Sequence, residues 1–388
     1  MKLLEPRRPF LLVENQDQLA QAITELTSEE VLAVDAERAS GFRYSQRAYL
    51  VQFATSKQIF LIDPTCFSET ELAELARVVS AKTWLLHSAT QDLPCLAEIG
   101  ILPTDIFDTE LAARLCGFEK FGLGSLALEL LDFEMAKEHS AADWSIRPIK
   151  QEMLIYAALD VDVMHELHEK LQQKLEELER QDWAKAEFEK LLKFKPKPAA
   201  KEAWRNLPGI SKVKDKRRLQ IAAALYSARD EIARAQDIAP GRLIPDRSIM
   251  AAVNQLPTSK KDLAGNREFQ GRASRSMLTE WWDAIANSAS LEISEVELDP
   301  NHIPNHRSWE KRFPEAHVRL QAVRPLLAEK ALELAIAPEI LLSPDTMRRV
   351  CFEPQSNIRQ QLVELGARPW QIQLTLDLIE QGLTLSNQ

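Results

Sequence analysis

Four short apolar runs lie close together in the first quarter of the chain: VLAVDAE (31–37), AYLVQFAT (48–55), QIFLID (58–63) and TWLLHSA (83–89). Their length and their β-branched and aromatic members predict buried strands. Between and after them the apolar positions recur at helical spacing, as in ETELAELARVVS (69–80) and LGSLALELL (123–131). The tight spacing of the first three strands predicts a meander, followed by α/β crossovers. A mixed sheet flanked by helices satisfies both patterns. A long helical run, 151–183, then leads into KFKPKPAAKEA (193–203), whose Lys, Pro and Ala predict an interdomain linker at 196–203. Beyond it almost every segment is helical, with Pro and Gly marking turns. Two stretches there resemble each other: IAPGRLIPDRSIMAAV (238–253) and IAPEILLSPDTMRRVC (336–351). Each reads as a helix end, an extended link with aliphatics, then Pro-Asp opening a further helix, which predicts two related helical modules.

A length of 388 residues predicts two or three domains, because single cores rarely exceed roughly 250–300 residues. Hydrophobic residues at 45% and charged residues at 27% describe an ordinary globular protein. The four cysteines show no C-x-x-C spacing, so neither a zinc ribbon nor a disulfide framework is expected. The first sixteen residues fit neither a signal peptide nor a membrane span, and a cytoplasmic protein without membrane association is expected. The net charge of −10 conceals a split: −12 over residues 1–200, +6 over 201–285 and −4 over the remainder. One basic segment inside an acidic chain suggests a polyanion partner, although a solvated surface has the same composition. Its densest part is SKVKDKRR (211–218), with Lys212, Lys214, Lys216, Arg217 and Arg218.

The run LAVDAERAS (32–40) places Asp35 and Glu37 two apart on a strand, hence on one face. Two carboxylates side by side repel and resist burial unless a cation joins them. A lone D-x-E also fits a strand that ends near Asp35 with both acids in water. Further acids sit nearby in the pattern. Asp92 follows the strand TWLLHSA where a loop becomes a helix, and Tyr156 and Asp160 stand four apart on one helical face. Alone, Asp92 reads as a helix cap and Tyr156 as packing. No phosphate loop accompanies GLGS (122–125), and no G-x-S-x-G or H-E-x-x-H occurs.

Together these pieces resemble the ribonuclease D family, within the DEDD superfamily of 3′–5′ exonucleases. The resemblance rests on VDAE (34–37), HSATQD (87–92) and YAALDVD (156–162), with FDTELAARLCG (107–117) and DWSIRPIK (143–150) between them. Tyr rather than His precedes the last acid, as in the tyrosine branch. Residues 203–246 resemble an HRDC domain, and RPWQIQLTLDLIEQGL (368–383) resembles the tail of a second HRDC-like domain. The resemblance implies a ribonuclease H-like α/β exonuclease domain over 1–195, the linker 196–203, an HRDC domain over 204–285 and a second over 295–388.

It further implies a metal-dependent 3′–5′ exoribonuclease trimming structured RNA, tRNA precursors among them. Phosphodiester hydrolysis needs a hydroxide-like nucleophile, neutralised phosphate oxygens and a stabilised leaving alkoxide, which two hard divalent cations can supply. The resemblance assigns Asp35, Glu37, Asp92 and Asp160 to two Mg²⁺ or Mn²⁺ ions, with Asp35 shared, and Tyr156 to the attacking water. Asp160, not Asp162, keeps the four-residue step to Tyr156. Trp144 and Arg147 fit either substrate contact or packing, and His87 reads as structural. Lys212, Lys214, Lys216, Arg217 and Arg218 are the expected RNA contacts. With that module as an RNA holder, truncation after about residue 200 is expected to leave hydrolysis of short oligonucleotides nearly intact. No obligate protein partner is expected. A DNA exonuclease and a non-catalytic RNA-binding protein are the alternatives.

Overall fold

The computed structural model describes residues 1–135, 142–193, 195, 202–294 and 302–386. Its strands are β1 (Lys2–Leu3), β2 (Phe10–Val13), β3 (Val31–Arg38), β4 (Ala48–Ala54), β5 (Ile59–Ile62), β6 (Thr83–Leu86), β7 (Asp105–Asp108) and β8 (Glu134–Met135). Six of them form one mixed sheet in the order β2-β5-β4-β3-β6-β7, while β1 and β8 pair separately. The expected meander is present: β4 runs antiparallel to both β3 and β5, and β6 and β7 join by parallel pairing. Every residue of β4 and β5 is buried. A strand covered on both faces has no reason to alternate, which is why these runs are apolar throughout except for the buried Gln52 of β4.

The helix Gln151–Asp162 lies across β3, β4 and β5. Its first residues follow Pro148, and its apolar positions Met153, Leu154, Ala157, Ala158 and Val161 are buried against the sheet. That placement puts the Tyr156–Asp160 face near the acids of β3.

The buried apolar side chains fall into three clusters. One fills the sheet domain, a second spans Trp204 to Ile285, and a third spans Trp309 to Ile379. The first cluster also includes Ala331, Ile336, Ile340, Leu341 and Trp370, so the last helical unit packs into the sheet domain's core. Of the expected linker 196–203, residues 196–201 lie outside the described residues, as do 295–301 at the start of the expected last domain.

The internal repeat has a structural counterpart. Helix Lys216–Gln236 ends at Asp237 with φ +48°, followed by the short helix Pro240–Leu243 and the helix Asp246–Gln255. Helix Pro314–Glu333 is followed by Ala335 with φ +49°, then Pro338–Leu341 and Pro344–Phe352. The same closing bond recurs: Ile238 N–H donates to the Ala233 carbonyl and Ile336 N–H to the Ala331 carbonyl, both at 3.0 Å. Among the described residues no helix is long and apolar enough to cross a membrane.

Candidate active site

Asp35 and Glu37 project from β3, which is hydrogen-bonded on both sides and therefore rigid. The Asp35 carboxylate accepts the Ala36 N–H at 2.9 Å, and Glu37 is only 9% exposed. The strand does not end at Asp35, so the alternative of two solvated acids does not hold.

Asp92 stands at the N-cap position of the helix Leu93–Ala97, yet its side chain caps nothing. It is buried and faces the cleft instead. The turn that delivers it is tight. Ser88 takes a left-handed conformation (φ +61°), and the Ala89 N–H donates to Asp108 Oδ2 at 2.8 Å. Asp108 also caps the next helix through the Leu111 N–H at 2.9 Å, so it ties the Asp92 loop to β7. The sequence reading passed over Asp108; its signal was an Asp closing a strand just before a helix.

Tyr156 and Asp160 line the same cleft, and the Tyr156 hydroxyl donates to the Asp160 carboxylate. Asp35, Glu37 and Asp160 each bring a carboxylate oxygen to within 4.8 Å of the others. All five expected residues, Asp92 and Tyr156 included, border one cleft of about 420 Å³, together with Arg38, His87, Glu110 and Phe121.

Electrostatics expose the tension in this arrangement. Burial pushes Asp35 up to about 6 despite the Ala36 N–H and Arg38, which act in the opposite direction. Burial, then repulsion from neighbouring acids, holds Glu37, Asp92 and Asp160 well above the carboxylate range. Burial and the nearby acids also raise the Tyr156 phenol. Four crowded carboxyls can all ionise near neutral pH only beside compensating positive charge. Oxygen donors converging from two elements of the fold fit a hard divalent cation.

Several other residues take structural places. Asp162 accepts from the Arg7 backbone N–H at 2.8 Å, and from the Arg7 and Arg8 guanidinium groups at 3.1 and 2.9 Å, pointing away from the cleft's acids. Trp144 is fully buried with its ring 6.3 Å from that of Tyr156. Arg147 pairs with buried Asp63 and donates to the carbonyls of Trp144 and Tyr49, so packing and an ion pair account for both. His87 borders the cleft, 2.9 Å from Thr109 Oγ1, and burial lowers it to about 4, leaving it neutral.

The basic run lies away from this cleft. Lys212, Lys214 and Lys216 are exposed. Arg217 and Arg218 are half-buried, and their guanidinium groups donate to Ser288 Oγ, to the Ile285 carbonyl and to the carbonyls of Val253 and Asn254. Those two arginines hold the helical unit together.

Comparison with known proteins places the domains in families. Residues 10–176 match a family described as 3′–5′ exonuclease, 218–285 match the HRDC domain, and 302–383 match the 3′ to 5′ exonuclease C-terminal domain. The last helical unit therefore matches a family distinct from HRDC. Ribonuclease D of Granulibacter bethesdensis is 28% identical over 362 residues, 90% of this chain and 88% of that protein. Ribonuclease D of Pseudomonas paraeruginosa is 28% identical, covering 85% and 86%. A crystal structure of a protein from Bifidobacterium adolescentis superposes with a TM-score of 0.91 at 32% identity over 99% of both chains. Escherichia coli RNase D, an exoribonuclease involved in structured RNA processing, shares the fold, with a TM-score of 0.71 and 21% identity over 97% of this chain and 99% of that one.

Proposed function

This chain belongs to the ribonuclease D family of 3′–5′ exoribonucleases, and from that premise we propose that it shortens structured RNAs, tRNA precursors among them, in the cleft of Asp35, Glu37, Asp92, Tyr156 and Asp160. The observation that carries this reading is the convergence of Asp35, Glu37 and Asp160, with oxygens within 4.8 Å, beside a tyrosine one helical turn from Asp160. In this reading the chain divides into the exonuclease domain 1–195, the linker 196–203, the HRDC domain 204–285 and the second helical domain 295–388. A distinct apolar cluster from Trp204 to Ile285 supports the middle unit, and one from Trp309 to Ile379 the last, although part of the last unit also joins the sheet domain's cluster.

Asp35, Glu37, Asp92 and Asp160 would hold two Mg²⁺ or Mn²⁺ ions. Such ions, when bound, lower the pKa of water and offset charge on the phosphate and the leaving oxygen. The protein's own groups then divide the remaining work. Tyr156 commits its proton to the Asp160 carboxylate, so its oxygen lone pairs remain to accept a hydrogen bond from the attacking water. A phenol, with an ordinary pKa of about 10, keeps its proton at neutral pH, so Tyr156 orients water and does not act as a base. The apolar wall of Phe121 and Leu123 gives the terminal base a surface to rest on. Water adds to phosphorus, the bond to the penultimate 3′ oxygen breaks, and the last nucleotide leaves as a 5′-monophosphate.

Labelled RNA and DNA oligonucleotides incubated with Mg²⁺, Mn²⁺ or EDTA test this reading. Stepwise shortening of RNA from the 3′ end, abolished by EDTA, is expected. DNA shortened in preference to RNA would reassign the substrate, and binding without shortening would make the chain an RNA-binding protein.

A further inference from the structure

Among the described residues the cleft is bordered by five carboxylates, Asp35, Glu37, Asp92, Glu110 and Asp160, and by a single arginine or lysine, Arg38. His87, the remaining titratable nitrogen there, is neutral. An RNA 3′ end must bring its phosphates into this wall of like charge. A cation fixed to the chain would counter that repulsion and, with its planar fork, also orient one phosphate.

Arg38 is built for such a contact and not for pairing within the protein. It follows Glu37 directly, where the register of β3 against β4 slips by one residue: Glu37 faces Leu50 but Arg38 faces Ala48. Irregularities of this kind bend a strand and re-aim its side chains, often beside active sites. The backbone beyond is anchored. Ala39 is fully buried, the Phe42 carbonyl accepts the Ala239 N–H at 3.0 Å, and the Tyr44 and Ser45 N–H groups donate to Asp237 at 3.1 and 2.9 Å. The side chain itself is half-buried and makes no hydrogen bond or close ion pair among the described residues. Its charge nevertheless reaches Asp35, Glu37 and Asp92.

Arginines that serve as structural counter-ions in this protein look different. Arg7 and Arg8 clasp Asp162, and Arg147 clasps Asp63, each by direct hydrogen bonds. Among the described residues Arg38 clasps nothing, although three acids are near.

We propose that Arg38 is a substrate-binding residue that grips a backbone phosphate near the RNA 3′ end, on the Asp92 side of the cleft. This rests on the exonuclease reading above. The full-length protein and its Arg38→Gln and Arg38→Lys variants would be compared for affinity towards a short oligoribonucleotide in Ca²⁺. The measurement is repeated across salt concentrations, and with a neutral methylphosphonate at each of the last three linkages in turn. Arg38→Gln should bind roughly 10-fold more weakly, with a log–log salt slope shallower by about 0.7, the value for one phosphate contact on a single strand. Arg38→Lys should recover part of the affinity, and a melting temperature of Arg38→Gln equal to that of the wild type reports that the glutamine variant is folded. At one linkage the methylphosphonate should weaken the wild type and leave Arg38→Gln indifferent.

Affinity and salt slope unchanged in Arg38→Gln would overturn the proposal. So would a methylphosphonate penalty that is the same in both proteins at every linkage. Parallel lanes with Mn²⁺ separate the two readings. A wild type that shortens the RNA while Arg38→Gln matches it in binding sinks the Arg38 role alone, whereas a wild type that neither binds nor shortens it sinks both.

Discussion

Asp35 is the residue on which most of the site's electrostatics turn. It lies in the three-acid cluster and repels Glu37, Asp92 and Asp160. Asp35→Asn is expected to abolish RNA shortening while leaving the fold as stable or slightly more so, because one crowded charge is gone. More than a few per cent of residual activity would show that Asp35 holds no cation. Tyr156→Phe removes only a hydroxyl and should lower turnover by roughly 10²-fold, with RNA affinity in Ca²⁺ unchanged. Equal losses in affinity and turnover would make Tyr156 a substrate contact.

The same acids set a pH dependence. Burial raises Asp35 to about 6 and, with mutual repulsion, lifts Glu37, Asp92 and Asp160 well above their ordinary range. A carboxyl with a raised pKa stabilises the folded state while protonated. That contribution is complete below about pH 4, the unfolded value, and is lost as pH rises through the folded value. In EDTA the melting temperature should therefore fall between about pH 5 and pH 8, and Mn²⁺ should raise it more at the higher pH. Equal increments from Mn²⁺ at both pH values would count against the acids as its ligands.

At the scale of elements, the basic run shows how one stretch can carry two different jobs. Asp215 caps the helix Lys216–Gln236 through the Arg218 N–H at 2.9 Å, and Arg217 and Arg218 then turn inward to carbonyls at other helix ends. Replacing Arg218 by Ala would remove the donor to the part-buried Val253 carbonyl, while water can reach that of Asn254, and should cost about 1 kcal/mol in chemical denaturation. Neutralising Lys212, Lys214 and Lys216 to Gln should leave stability within about 0.5 kcal/mol, since all three are exposed. It should weaken binding of tRNA-sized RNA and flatten its salt dependence by about 0.7–0.9 per lost contact. An unchanged salt slope would make the run an ordinary solvated helix face. Of the five expected RNA contacts, Arg217 and Arg218 also donate within the domain, whereas the three lysines are exposed.

At the scale of the whole molecule, the helical units are not loosely tethered. Asp237, in its left-handed cap position, accepts from the Tyr44 and Ser45 backbones and from the Tyr49 hydroxyl at 3.2 Å. Arg242 donates to the Gly41 carbonyl at 2.7 Å and lies over the Phe42 ring. On the other side Trp370 stacks on Trp183, and Trp370 and Arg368 both bond Glu187. Truncation after about residue 200 would uncover these surfaces, along with the part of the sheet domain's core that Ile336, Ile340, Leu341 and Trp370 cover. The truncated domain is therefore expected to melt several degrees lower and to lose activity on short oligonucleotides as well as on long RNA. This replaces the expectation that short substrates would be spared. A truncated domain that matches the full chain in melting temperature and short-substrate turnover would show that the docking contributes little.

Much of this protein was legible in its residues because the relevant physics is local. Continuous apolar runs specify strands buried on both faces, a four-residue step puts Tyr156 and Asp160 on one helical face, and two-residue spacing pairs Asp35 with Glu37. The repeat was readable for the same reason: a left-handed cap, a one-turn helix and a Pro-Asp start are written in neighbouring residues. The four-residue strands FLLV and DIFD at the sheet's edges carried too little pattern to be seen. What the chain could not disclose depends on residues far apart in sequence. The four-residue step singles out Asp160, but what Asp162 does instead depends on Arg7 and Arg8, which arrive from between β1 and β2 to take it. Asp92 resembles a cap and caps nothing, because the turn held by Asp108 aims it inward. Arg38 and Arg218 look alike as letters, but packing leaves one at the cleft without a hydrogen-bond partner among the described residues and spends the other on carbonyls. Only tertiary structure assigns partners across such distances, and a charged side chain's role follows from its partner.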